Sequence, residues 1–597
     1  MSTATDHSVA TPAGGSFLFA PALPAETFTP EDFSDEQSQV RTTAERFMDA
    51  EVLPRVAEYE EKEPGLARDL IVKAGELGLL SILVPEKYDG LELDLTSQLV
   101  VAESVGRYAS YSTTYGAHCG IGTLPLVLFG TEEQKKKYLP RLVTGEWMAA
   151  YCLSEPEAGS DALAVRTRAV LSADGKHYVL SGQKMWISNG GWADFFTVFA
   201  KIDGEKFSAF LVERGWEGVR PGAEEHKMGI HGSSTTALYL DEVQVPVENL
   251  LGEVGRGHVI AFNILNLGRL KLGASCVGGL KEVLGETIRY AKQRKAFGQA
   301  IAEFGAIQHK IAETAIRLYA AESLVYRTGG MIDARLKGVS WERAEAAEKT
   351  LAAVEEYAVE CSIAKVWSSE ALDYGVDEGV QVHGGYGFHA DYMVERCYRD
   401  SRVNRIFEGT NEINRLLTTA ILGKRAAQAR LALRDAVGVM MQHAIAGGED
   451  PIPTSGEEVL AAEEEKLSRA KKVGLYVTGV AFGAFGDKLS EQQEVASAMA
   501  DIAIEIYAAD SALLRARKLN ASRHGDQAVE MTRVLADRCL QRCAAAGRLV
   551  IAAGLDGEKL TNSAKLLNNL ADTAPLNVVA VRRRIALRLI ASERYVV

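Results

Sequence analysis

Five short motifs carry the side chains best suited to chemistry: YCLSEPEAGSD at 151–161, KMWISNGG at 184–191, RKAFGQ at 294–299, QVHGGYGF at 381–388 and FEGTNEINR at 407–415. Glu408 stands between Phe407 and Gly409. A carboxylate beside an aromatic ring can be desolvated, which raises its pKa toward the range of a useful general base. The following glycine leaves backbone room for a substrate. Trp186 and Ser188 are two residues apart in an alternating stretch, so they address the same side of a strand. Arg294 can pair bidentately with a pyrophosphate, and the glycines of Gln381-Val-His-Gly384-Gly385 let backbone approach phosphates closely. Taken singly, each has a plainer reading: Glu408 as a solvated loop residue, Trp186 as a sandwich-core aromatic, Arg269 as a helix-surface ion-pair partner. Other familiar chemistries lack their motifs. No GxGxxG follows a strand, and GxSxG, HExxH and the Walker loop are all missing. The 11 histidines form no ligand cluster, and Cys539 and Cys543 are the only cysteines at helical spacing, without further ligands beside them, so no metal site is expected.

The elements that must position these motifs change character along the chain. Residues 1–35, small and rich in Thr and Pro, read as a flexible tail. Residues 36–149 have helical periodicity, as in QLVVAESVGRYASY. From 150 to 256 apolar and polar residues alternate, and Asp174-Gly175 and Asp203-Gly204 supply hairpin turns between HYVLSGQKMWIS, FFTVFAKI and KFSAFLVE. No helical pattern separates these strands, so an antiparallel β-barrel or sandwich is expected. Long helical patterns return over 257–424 and predict a four-helix bundle. Residues 425–458, with AIAGGEDPIPTSGEE, read as a linker, and 459–597 as an additional helical domain. The expected fold class is therefore α+β, mostly α.

The chain of 597 residues has 66 Lys and Arg against 80 Asp and Glu, a net charge of −14, which excludes a general nucleic-acid binder. Its 47% hydrophobic and 24% charged residues are those of a globular protein of about three to five domains. Seven scattered cysteines read as reduced thiols of a cytoplasm-like compartment. The first residues have no signal-peptide pattern, and no apolar run is long enough to span a bilayer. Lys466, Arg469, Lys471 and Lys472 precede the glycine-punctuated apolar run VGLYVTGVAFGAF, which reads either as a buried helix or as a helix lying in a membrane interface; RRRIALRLI has the same ambiguity.

Together the five motifs resemble the acyl-CoA dehydrogenase family of flavoproteins over about residues 36–424. RIFEGTNEI, ILNLGR, YGAHCGIG and the extra residues 425–597 resemble its very-long-chain branch. The resemblance implies FAD as cofactor and oxidation of long-chain acyl-CoA to trans-2-enoyl-CoA, as in fatty acid β-oxidation, with Glu408 removing the α-proton. Some relatives carry the base one residue before the arginine of ILNLGR; here that residue is Gly268, which directs the role to Glu408. By the same resemblance Tyr151, Leu153, Ser154, Gly159, Ser160, Trp186 and Ser188 contact the flavin, and Ser188 bonds its N5. Arg294, Phe297, Gln381, Gly384 and Gly385 reach the FAD of a neighbouring subunit, so a homo-oligomer, a dimer by analogy with the branch, is expected. Thr410 and Glu412 match adenine-side positions, although Glu412 departs from the commoner Gln or Asp. Ser160, Asn266, Arg269, Phe407 and Gly409 match substrate contacts, with Asn266 and Arg269 toward the CoA moiety. Gly116, Gly120 and Gly122 remove volume from the expected pocket floor and suggest a deep acyl tunnel. Electrons would leave through an electron-transfer flavoprotein. Peripheral membrane association follows from the branch. An acyl-CoA oxidase, and a scaffold or assembly protein that keeps the fold, remain as alternatives.

Overall fold

The computed structural model describes residues 11–446, 450–520, 522 and 525–597. A helical N-terminal domain opens with Asp35–Phe47, whose N-cap Ser34 accepts from the Gln37 N–H while the Gln37 side chain accepts from the Ser34 N–H. It continues through Leu95–Val105 and Ala109–Tyr115 into a widened π-helical turn, Gly116–Gly122.

The middle domain is an open eight-stranded sheet: β1 (Ala149–Cys152), β2 (Arg168–Leu171), β3 (His177–Ser188), β4 (Phe195–Ile202), β5 (Lys206–Glu213), β6 (Val219–Glu224), β7 (Thr235–Pro246) and β8 (Leu250–Leu251). The three strands expected from alternation fall on β3, β4 and β5, with the two Asp-Gly turns at the β2–β3 and β4–β5 hairpins. The expectation of a purely antiparallel unit needs correction, because β1 and β2 both pair with β4 in parallel. The chain between β1 and β4 is long enough to return in the same direction, as a parallel pair requires. The sheet does not close into a barrel.

The third domain is the expected bundle. Helices Gly257–Gln293 and Gly305–Leu336 pack with Ala358–His383 and Asn411–Ala427, and Ala346–Glu356 precedes the third of these, separated from it at Tyr357. The added domain holds Ala461–Phe485, Gln493–Leu519, Gly525–Gly554, Gly557–Ala571 and Val578–Ser592.

Two segments depart from expectation. The first ten residues of the expected tail lie outside the described residues, but residues 11–33 are packed. Phe17 is buried against the Tyr507 ring, Gly14 and Gly15 N–H groups donate to Glu356 and Glu360, and Glu31 pairs with Arg515 at 2.7 Å. Gly14 and Gly15 here serve close packing, since a Cβ on Gly14 would strike Glu356 O and one on Gly15 would fall 2.6 Å from a Leu422 methyl. The expected linker contains a helix, Leu433–Ala446, while residues 447–449 lie outside the described residues.

The membrane reading of the basic run is also corrected. Lys466 and Lys471 are buried and paired with Asp537 at 2.6 Å and Asp510 at 3.0 Å, and Lys472 meets Asp450 at 2.6 Å. Arg582, Arg584 and Arg588 are likewise engaged with Glu313 and Glu530. The lysines are paired inside the fold, and Arg584 and Arg588 at its surface. Among the described residues no helix is long and apolar enough to cross a membrane.

Candidate active site

Glu408 sits in the turn between Arg402–Arg405 and the helix Asn411–Ala427. Both Glu408 (φ 58°) and Gly409 (φ 79°) adopt left-handed backbone, unusual for a glutamate and an expected place for stored strain. The turn is held by its carbonyls. Arg269 Nε donates to Glu408 O at 3.1 Å, Lys365 Nζ to Gly409 O at 2.9 Å, and Asn414 Nδ2 to Gly409 O and Thr410 O at 2.8 and 3.0 Å. Among the described residues nothing accepts from the Glu408 N–H, and Oε2 of its carboxyl is buried without a partner. Burial pushes this carboxyl up to about 7, against the opposing pull of Arg269, Lys365 and Lys271.

Gly268 faces the base. A Cβ at that position would fall 2.6 Å from Glu408 Oε2, so the two alternative positions for a base converge in space, and the glycine makes room for the carboxyl. The same cavity is lined by Phe407, Ser188, Ala102, Leu124, Gly116 and Gly120. A Cβ on Gly116 would meet nothing within 4 Å, whereas one on Gly122 would strike Ala117 O at 2.5 Å. Gly116 and Gly120 therefore widen the cavity. Gly122 does not, and serves close packing against the start of β1.

Tyr151 and Leu153 are buried beside this region, and the Tyr151 hydroxyl has no partner. Trp186 leaves its ring 56% exposed on the sheet surface. A break in the β3–β7 register between Lys184 and Ile187, with Trp186 at φ 61°, re-aims the indole, so simple strand alternation is only part of its placement. Ser154 is half-buried, and Gly159 and Ser160 are exposed, with nothing within 4 Å of a Cβ at Gly159. An open glycine loop, an exposed indole and unpartnered buried polar atoms fit a large planar, polar-edged ligand.

The loop and strand are tied together by residues that motif reading passed over. Lys184, with a fully buried side chain, pairs with Glu155 at 2.6 Å, and the Met185 N–H donates to Ser154 O at 2.9 Å. Glu155 also accepts from Arg166 N and from Thr167. The detectable signal was a lysine and a glutamate inside the two motifs with no assigned ligand. Lys365, on the third bundle helix, lies in no motif.

A second group is assembled far away. Arg294, 5.8 Å from the Tyr386 ring, shares a surface pocket with Gly384 and Gly385, and Gln381 is exposed nearby on the same helix end. Phe297 is 96% exposed. Arg294 follows Gly268 by 26 residues along the helix Gly257–Gln293, about 39 Å of rise. The structure does not bring this group to the Glu408 turn of the same chain.

Asn266 and Arg269 are buried and bonded to each other at 3.0 Å, and Arg269 holds the carbonyl of Glu408. Thr410 caps the following helix by accepting from the Ile413 N–H at 3.2 Å. Glu412 is exposed in the first turn of that helix.

Helical, β and helical domains enclose a cavity lined by the desolvated Glu408 carboxyl. Comparison with known proteins gives the family. Models of the N-terminal, middle and C-terminal domains of acyl-CoA dehydrogenase match residues 34–146, 150–243 and 255–423, and a further acyl-CoA dehydrogenase C-terminal domain model matches 469–568. The chain is 45% identical over 588 residues to a probable acyl-CoA dehydrogenase of Bacillus subtilis, covering 98% of both chains. It is 43% identical over 351 residues to the mitochondrial very long-chain specific acyl-CoA dehydrogenase of Rattus norvegicus, covering 57% of this chain and 51% of that one. A crystal structure of an acyl-CoA dehydrogenase complexed with FAD from Bacillus anthracis is 46% identical, with a TM-score of 0.95 over 98% of this chain and 100% of that chain. The chain belongs to the acyl-CoA dehydrogenase family and is an enzyme of that class.

Proposed function

We propose that this chain uses FAD to oxidise long-chain acyl-CoA thioesters to trans-2-enoyl-CoA. The observation that carries the reading is the Glu408 carboxyl, buried without a partner at the end of a glycine-widened cavity. Glu408 takes the proton from the carbon α to the thioester; a pKa near 7 suits a base that must accept and later release a proton near neutrality. Its unengaged N–H donates to the thioester oxygen and stabilises the developing enolate. FAD, when bound, supplies the acceptor for the hydride leaving the β-carbon. Tyr151, Leu153, Ser154, Gly159, Trp186 and Ser188 would hold its ring side. Ser160, exposed beside Gly159, would face the CoA moiety.

Arg294, Phe297, Gln381, Gly384 and Gly385 lie too far along the helix to serve the same bound cofactor, so they would complete the site of a second copy. The working form is then a homo-oligomer, a dimer at least. Electrons leave to an electron-transfer flavoprotein. The chain-length assignment rests on Gly116 and Gly120.

The test is the visible spectrum of the purified protein. A yellow protein bleached by palmitoyl-CoA, and not bleached after Glu408→Gln, supports cofactor, base and substrate together. A colourless protein that stays so with added FAD overturns the reading, and best activity on butyryl-CoA overturns the chain length. Hydrogen peroxide formed in step with turnover would replace the acceptor flavoprotein by oxygen.

A further inference from the structure

The acyl cavity contains a buried lysine whose side-chain nitrogen has no hydrogen-bond partner among the described residues. Gly268, Lys271, Leu272 and Ser275 follow one another on one face of the helix Gly257–Gln293 and all line the cavity. Lys271 is 8% exposed, and its ammonium has no hydrogen-bond partner among the described residues. It reaches across to the opposite wall, where a Cβ on Gly120 would lie 3.5 Å from Nζ. Cys119 is near it, but burial pushes that thiol up and keeps it neutral. Burial lowers the Lys271 pKa, with Cys119 and Glu408 opposing, and neither of them hydrogen-bonds its nitrogen among the described residues.

Several other buried lysines in this fold are partnered, Lys184 by Glu155, Lys365 by Gly409 and Asn411, and Lys471 by Asp510, whereas Lys135 lies over the Tyr88 and Trp341 rings at 6.0 Å. A plain alkyl chain filling the cavity would leave the Lys271 nitrogen without water or acceptor, a buried unsatisfied donor that carries a cost. An acyl chain bearing its own acceptor would remove that cost. Lys271 is one helical turn beyond Gly268, about 4.5 Å of rise, so the acceptor would sit on the chain beyond the reacting carbons.

We propose that Lys271 is a specificity residue that takes an oxygen acceptor carried by the acyl chain, either a terminal carboxylate on a short chain or a hydroxyl within a longer one. This rests on the acyl-CoA dehydrogenase reading above and narrows its substrate class. Lys271 moves no proton in the reaction.

The test compares adipoyl-, suberoyl- and sebacoyl-CoA with hexanoyl-, octanoyl- and decanoyl-CoA, and hydroxylated with plain palmitoyl-CoA, on the FAD-loaded enzyme and on Lys271→Met. Replacing a buried ammonium by an apolar chain of similar length is compatible with folding, and flavin content checks it. We expect kcat/KM to favour one oxygenated thioester over its plain counterpart by about tenfold or more, and Lys271→Met to erase that preference while improving turnover of plain chains. Dissociation constants measured in a Glu408→Gln background should show the same preference without turnover. The carboxylate and hydroxyl arms tell charge from hydrogen bonding. Equal use of oxygenated and plain chains overturns the proposal, as does a Lys271→Met effect of the same size on every thioester, which would mean that Lys271 acts on the base alone. Absence of bleaching with every thioester, plain ones included, overturns the dehydrogenase reading and this proposal with it.

Discussion

Two buried lysines from two helical regions make an instructive pair. Lys471, in the added domain, meets Asp510 at 3.0 Å, and the same aspartate takes Arg327 of the bundle at 2.7 Å. Lys271, in the bundle, has no hydrogen-bond partner among the described residues. At the seam between domains, charge is cancelled as it is buried: Arg515 pairs with Glu322 at 2.6 Å and with Glu31, and the Tyr595 hydroxyl donates to Glu322 at 3.0 Å. At the acyl cavity polarity is left open, on Glu408 Oε2 and Lys271 Nζ. Paired burial holds domains together, whereas unpaired burial waits for a ligand.

The contrast can be broken at either end. The largest effect is expected from Glu408→Gln, which should slow flavin reduction by acyl-CoA at least about a thousandfold in stopped-flow absorbance while leaving thermal stability at or above that of the parent. Next, Asp510→Ala strands Lys471 and Arg327 together and should cost about 3–5 kcal/mol of stability, read by denaturant unfolding, with flavin chemistry retained in the fraction that stays folded.

The pH dependence is sharper still in sign. The Glu408 carboxyl must be ionised to act, so flavin reduction should fall about tenfold per unit as pH drops below about 7 and level off above it. Because its pKa is raised from 4.5 to about 7 on folding, its stability contribution runs the other way. It is fully present below 4.5 and lost as pH rises through 7. Unfolding and activity followed over the same buffers should move in opposite directions for this group, and Glu408→Gln should remove both slopes. The smallest effect is expected at Gly116→Leu, whose side chain enters open cavity space: kcat/KM for palmitoyl-CoA should fall about tenfold, with short thioesters little affected.

Local patterning was readable along the chain. Alternation and Asp-Gly turns located β3 to β5, and the FEGTNEINR motif held Glu408. What escaped was pairing between distant positions. Nothing near Lys466, Lys471 or Lys472 announces Asp537, Asp510 or Asp450, so their run looked like a free basic face. The Glu408 carbonyl that accepts from Arg269 lies 139 residues later. The register break that turns Trp186 outward depends on β7, and the parallel pairing of β1 and β2 depends on where β4 lands. Lys271 was passed over for the same reason: an orphan is visible only once every neighbour is known.

The helix Gly257–Gln293 has one further consequence. Gly268 near one end of it faces the base, and Arg294, just past the other, heads the phosphate-suited cluster. On the proposed reading each finished site draws these two ends from different copies. Specific activity then obeys mass action in the protein itself. Dilution lowers it with no site residue altered, and excess FAD, by bridging copies, restores it.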